Sequence, residues 1–121
     1  MKSRWIEHKG TRIFYVDLTN FGSDSAALRE EAQAIIALVT QQPENSVRAL
    51  SNTQGTVGTA ENLAILKGIV TRTSRFVRRR AVVGVSGVRK ALVDAVNRAT
   101  GGKHFSPFAD EQSAKDWLVG E

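Results

Sequence analysis

The chain contains no cysteine among its 121 residues. That absence excludes disulfides, thiolate metal sites and a cysteine nucleophile. No apolar run is long enough for a membrane helix. The opening MKSRWIEHKG lacks the apolar core of a secretion signal, so a cytoplasmic location is expected. There is no internal repeat, linker or low-complexity stretch, and the length suits one domain over residues 1–121. Hydrophobic residues make up 41% of the chain, enough to build a core and too many for a disordered polymer.

What is present in excess is positive charge, and it is unevenly placed. Residues 72–103 hold Arg72, Arg75, Arg78, Arg79, Arg80, Arg89, Lys90, Arg98 and Lys103 against Asp94 alone, a net +8, while the rest of the chain carries −3. Such asymmetry suggests an anionic partner: nucleic acid, an acidic protein, a membrane surface or an anionic small ligand. A solvated basic face explains it equally well. No reading motif or stacking platform accompanies the arginines, so specific nucleic-acid binding is not expected.

The stretch Ala81–Gly102 organises the rest. Ala81 to Val85 is apolar without alternation, the pattern of a strand covered on both faces. Ser86 then stands where a helix N-cap belongs. Val88, Leu92 and Val96 recur one helical turn apart, and Gly101 or Gly102 can end that helix. Upstream, Trp5–His8 and Thr11–Asp17 read as a hairpin turning at Lys9-Gly10. In its second strand Ile13 and Tyr15 face one way and Arg12, Phe14 and Val16 the other. His8 reads as an edge-strand histidine facing solvent.

Asp24 caps a helix from about Ser25 to Gln41, with Glu30 and Glu31 near its positive end. Pro43 blocks its continuation. Val47–Ser51 forms the next strand, followed by the polar loop Asn52–Gly58. Thr59 caps a helix beginning at Ala60, whose stripe runs through Leu63, Leu66, Ile69, Val70 and Val77. The Thr71–Ser74 patch suggests a kink or break in it. Arg75, Arg78, Arg79 and Arg80 gather near its end, where cations complement the dipole. Lys103–Phe108 suggests a short edge or terminal strand because it carries Pro107. Asp110 caps a final helix with Ala114, Trp117 and Leu118 inward. The fold class is therefore α/β: a single-domain mixed, mainly parallel sheet with an N-terminal hairpin and helices on both faces, in the order β-β-α-β-α-β-α-β-α.

This element order, with HKGTRIFYVDLTN near the start, QPENSVRALSN before the third strand, and AVVGVSGVRKALVDAVNRATG, resembles the STAS-like proteins. More narrowly it is similar to the stand-alone SpoIIAA-like (STAS/SEC14) group. The resemblance covers nearly the whole chain and implies a small α/β domain. Its roles span bacterial regulatory partner binding and proposed binding of nucleotides or apolar ligands. In the anti-sigma antagonists of this fold, a serine at the start of the helix after the third strand is phosphorylated. The matching region offers Thr53, Thr56 and Thr59 without the aspartate-then-serine arrangement, so that switch is not carried over.

Three functional readings follow. The first is a non-enzymatic interaction module that presents Asn52, Thr53, Thr56 and Thr59 together with Ser86, Gly87, Arg89 and Lys90 to a protein. The second is a small-molecule or lipid-binding domain with an anion held where Ser86 and Gly87 open a helix, aided by Arg89 and Lys90. The third is a hydrolase. Gly84-Val85-Ser86-Gly87 hints at a nucleophile elbow, but Val88 replaces its last glycine, and His104 and Asp110 are an unremarkable pair to find downstream. The polar loop also lacks the lysine of a phosphate loop. Catalysis, a metal and a cofactor are not expected. The exposed hairpin edge is compatible with a homodimer, and a monomer is equally compatible.

Overall fold

A computed structural model describes residues 1–84 and 106–120. Five strands form one mixed sheet in sequence order: β1 (Arg4–His8), β2 (Thr11–Asp17), β3 (Val47–Asn52), β4 (Val77–Val83) and β5 (Ser106–Pro107). β1 and β2 are antiparallel, and every later pairing is parallel. The hairpin turns at Lys9 and Gly10, both at positive φ, as the sequence requires. α1 (Ser25–Val39) and α2 (Ala60–Thr73) cross between parallel strands. A third described helix, α3 (Glu111–Val119), follows β5. The helix expected over residues 87–102 lies outside the described residues.

The sheet separates two cores. Phe14, Val16, Ala49 and Val47 pack under Leu28, Ile35, Val39 and Ile69 of α1 and α2. Ile13, Tyr15, Leu50, Ala81 and Val83 pack under Ala114 and Leu118 of α3. The alternation expected in β2 thus sorts its side chains into the two cores, and helices cover both faces. Asp24, Thr59 and Asp110 each cap a helix, accepting from the backbone N–H of Ala27, Asn62 and Ser113 respectively.

Three expectations need correcting. The arginine run does not end α2. Thr71 and Thr73 bond back to the carbonyls of Lys67 and Ile69, the helix stops at Thr73, and Arg78–Arg80 belong to β4. Val77 accordingly begins a strand rather than extending the α2 stripe. Arg72 alone occupies the last turn of α2. Arg79 and its cross-strand neighbour Arg48 instead hold the end of α3, donating to the carbonyls of Trp117 and Leu118. These cations do complement a helix C-terminus, but a different helix.

Glu31 is the second correction, for it is buried and is more than a partner for the dipole. Its carboxylate accepts from the Lys2 and Ser3 backbone N–H groups and the Ser3 hydroxyl, at 3.0, 2.9 and 2.8 Å. His8 is the third. It turns from solvent to α3, its Nε2 lying 2.7 Å from Asp116 Oδ1.

That contact, and next the bond from Lys9, pull the Asp116 carboxyl down to about 2. The folded value lies below the ordinary 3.8, so the stabilisation is present above the latter and disappears as pH falls toward the former. Asp17 titrates in the same direction. Burial pushes it up, but hydrogen bonds from Thr19 and Arg4 hold it below its ordinary value. A difference curve between wild type and Asp116→Asn isolates Asp116. The variant is expected to melt below wild type at neutral pH, and the gap to close across the window from 3.8 to about 2. A gap that persists undiminished in acid would show that His8 and Lys9 do not hold this carboxyl down.

Candidate functional site

Parallel strands deliver their C-terminal ends to one rim of the sheet, where open α/β sheets bind their ligands. Here β2 opens into residues 18–24 and β3 into residues 53–59, while β4 reaches Gly84. The first two loops are joined by a continued parallel ladder. Leu18, Asn20 and Gly22 donate their N–H groups to the carbonyls of Asn52, Gln54 and Gly55, each at 2.9 Å. Val57 N–H returns to the Gly22 carbonyl at 2.8 Å.

Two buried side chains lock this ladder. The Thr56 hydroxyl donates to the Leu18 carbonyl and accepts from the Phe21 N–H. Asn62, wholly buried in the first turn of α2, donates to the carbonyls of Val57 and Gly22 at 2.8 and 3.3 Å and accepts from the Ser25 hydroxyl at 2.7 Å. It thereby ties α2, both loops and the start of α1 together. The N-terminal segment adds a strap. The Lys2 ammonium bonds the Thr19 carbonyl, lies 3.6 Å from Asp17 and sits 4.4 Å from the centre of the Phe21 ring.

The polar residues singled out from the sequence divide accordingly. Thr56 and Thr59 are structural: one is locked between loops and the other caps α2 through a 3.0 Å bond from the Asn62 N–H. Thr53 is half-buried, and its carbonyl closes the turn by accepting from Thr56 N–H. Gln54, Val57 and Gly58 are left facing outward. Val57 is 53% exposed although apolar. Ser86, Gly87, Arg89 and Lys90 lie outside the described residues, as does His104 of the hydrolase reading.

Asn52 belongs to a cluster on the α3 side of the same rim. Its amide nitrogen donates to the Tyr15 hydroxyl at 3.1 Å, and Tyr15 donates to Glu111 at 2.6 Å. Burial foremost, and then the bond to Glu111, raises the Tyr15 pKa. The phenol therefore stays protonated at neutral pH and acts as a donor. The Asn52 carbonyl oxygen accepts from Gln54 N–H at 3.0 Å. Gly84 crosses directly above it with φ +76°, where an added Cβ would stand 2.8 Å from that oxygen. Asp110, the third member of the hydrolase reading, is occupied as a cap by the Ser113 N–H and hydroxyl.

Neither Asn62 nor the Tyr15–Glu111 pair was singled out from the sequence. Asn62 had a signal: it precedes Ile69 and Thr73 at helical intervals on the inward stripe, a polar side chain in an apolar register. Tyr15 and Glu111 had none, since 96 positions separate them. Among the described residues no group of three or more metal-ligating side chains converges, and no helix is long and apolar enough to cross a membrane. Comparison with known proteins finds no matching family model, curated sequence or solved structure.

Proposed function

We propose that this chain is a non-enzymatic, STAS-like interaction module of the cytoplasm that binds a regulatory protein partner through the loop following β3. The observation that supports the reading is the rigidity of that loop combined with what it exposes. A ladder, a buried threonine and a buried asparagine fix its backbone, yet Val57 is turned outward at its tip. A preordered apolar contact loses little entropy on docking, which is what a recognition loop requires. The phosphorylation switch of the antagonists is not part of the proposal, because the Thr56 hydroxyl is buried and has both hydrogen-bonding roles filled.

The proposed surface is the loop after β3, the part of the surface expected from the sequence that lies among the described residues. The described arginines of β4 begin at the opposite end of the strand from Gly84, so they flank a different region from the Val57 loop. Affinity capture with wild-type and Val57→Asp baits tests the proposal. A protein held by wild type at fixed stoichiometry is expected to be lost from Val57→Asp, whose melting temperature stays within a few degrees. A partner retained equally by both baits would remove this loop from the interface.

The second reading, a small-molecule or lipid-binding domain with an anion at Ser86 and Gly87, is supported by the position of Gly84. That glycine brings the chain over Asn52 at the strand C-termini, immediately before the expected anion site. Native mass spectrometry of gently purified protein separates the readings. A reproducible extra mass identified as a lipid or nucleotide favours the second.

A further inference from the structure

The sheet ends on β1. This strand pairs on one side with β2 and, among the described residues, with nothing on the other. The hairpin geometry fixes which backbone groups are left over. A two-residue turn at Lys9 and Gly10 closes on a hydrogen-bonded pair, His8 with Thr11, and such pairs then alternate along an antiparallel ladder. Arg4, Ile6 and His8 therefore bond to β2, while Trp5 and Glu7 turn their N–H and C=O groups outward. The strand holds no proline or lysine, and its register with β2 runs without a bulge, so the devices that commonly blunt an edge are missing from it.

Its side chains sort by face. Trp5 packs beside Phe14 on the α1 side, and Ile6 on the α3 side. Each is only half-buried by its own chain. Glu7 is exposed, and its carboxylate makes no ion pair among the described residues. The Arg12 guanidinium lies 3.9 Å from the centre of the Trp5 ring.

We propose that β1 pairs with β1 of a second copy of this chain, antiparallel about a two-fold axis at Ile6, so that the two sheets become one. Such pairing keeps each face of the sheet continuous, and outward backbone groups must meet outward groups. Within the strand, only registers centred on Trp5, Ile6 or Glu7 meet both conditions. Centring on Trp5 requires Ser3 opposite Glu7 to extend the ladder, but the Ser3 N–H is already given to Glu31. Centring on Glu7 sets one carboxylate directly against another, which is unfavourable. Centring on Ile6 sets Trp5 against Glu7 on both sides of the axis, each pair exchanging both of its N–H···O bonds. Ile6 then meets Ile6 on the α3 face. Arg4 comes opposite His8, whose Asp116 partner offsets the like charge. On the α1 face each Glu7 carboxylate comes beside a Trp5 ring that carries the Arg12 guanidinium, so opposite charges meet across the seam. The strand complements itself in this register, which is why a second copy fits it. The seam is apart from the loop after β3 and does not depend on what that loop docks.

Sedimentation velocity of the full chain over a concentration series, with hydrogen exchange and cysteine crosslinking, tests this. A dimer is expected, with the Trp5 and Glu7 amides protected. Dilution should expose those amides and leave Ile6 and His8 protected. Glu7→Pro removes an N–H that the single chain leaves in water, so it should keep the wild-type melting temperature and raise the dimer dissociation constant about tenfold, through the loss of one donor from each copy. Ile6→Cys and Glu7→Cys read the register, and the chain has no cysteine of its own to compete. Ile6→Cys should oxidise to a covalent dimer, because residues at the axis face each other at the Cα spacing a disulfide spans, and Glu7→Cys should not. If Glu7→Pro fails to fold, the cysteine variants decide. A monomer at every attainable concentration would overturn the proposal. So would a dimer unmoved by folded Glu7→Pro, a dimer in which Ile6→Cys fails to crosslink or Glu7→Cys crosslinks equally, or amides at Trp5 and Glu7 protected in a monomer by a segment of another protein.

Discussion

Asn62→Ala is expected to lower the unfolding free energy by about 4 kcal/mol, the largest effect of any polar substitution at the rim. The native amide makes three hydrogen bonds from a fully buried position. Its removal leaves the carbonyls of Val57 and Gly22 and the hydroxyl of Ser25 without that partner. Each group stranded in this way costs roughly 1–3 kcal/mol, reduced where water can enter the space. Against a total stability of about 5–15 kcal/mol for a domain of ordinary size, this is a large fraction.

Urea unfolding supplies the number, and hydrogen exchange at the Gly22 and Val57 amides shows where the loss falls. Asn62→Asp is the informative companion. It keeps the acceptor facing Ser25 but directs a carboxylate at two carbonyls, so it should be at least as damaging as alanine. Stability within about 1 kcal/mol of wild type for both variants would contradict the role assigned to Asn62, because a lost buried network cannot be that small.

Gly55→Ala should cost about 2–3 kcal/mol. Gly55 has φ +82°, a conformation in which a Cβ is strained whatever space surrounds it. The space is also occupied: a methyl group here would stand 3.1 Å from both the Cα and the backbone N of Asn20 and would press on the Asn20 side chain. The side chain can swing away. The backbone cannot do so without disturbing the neighbouring ladder bonds, Asn20 N–H to Gln54 and Gly22 N–H to Gly55. Gly10, also at positive φ, has nothing within 4 Å of its would-be Cβ. Gly10→Ala therefore carries the conformational penalty alone and serves as the control. Equal losses at the two sites would mean that the loops are not pressed together at Asn20.

The elements whose signals are local were legible in the sequence. Asp24, Thr59 and Asp110 announced three helix starts because a cap acts on N–H groups within a turn of itself. Lys9-Gly10 announced the hairpin for the same reason. β4 was misjudged at its start because three arginines resemble a helix terminus and not a strand. Two of them have described partners outside the strand: Arg79 donates to the Trp117 carbonyl of α3, and Arg80 to the Thr73 hydroxyl of α2.

His8 was misjudged in the same way, its partner Asp116 lying 108 residues away. At the rim, composition drew attention to a loop whose hydroxyls turn out to be structural. Hydroxyl groups invite a binding reading, yet the Thr56 and Thr59 hydroxyls are consumed in holding the loop, and an apolar valine is among the residues it turns outward. Polarity alone cannot reveal which side chains the backbone will claim.

The most direct test of the interaction reading is site-specific photocrosslinking in cells with a benzophenone amino acid at position 57, and at position 37 as a control on the exposed side of α1. The expected result is one discrete adduct between the chain and a partner protein from position 57, with none from position 37. No discrete adduct at 57, or the same adducts from both positions, would contradict the assignment of the β3–α2 loop as the docking surface.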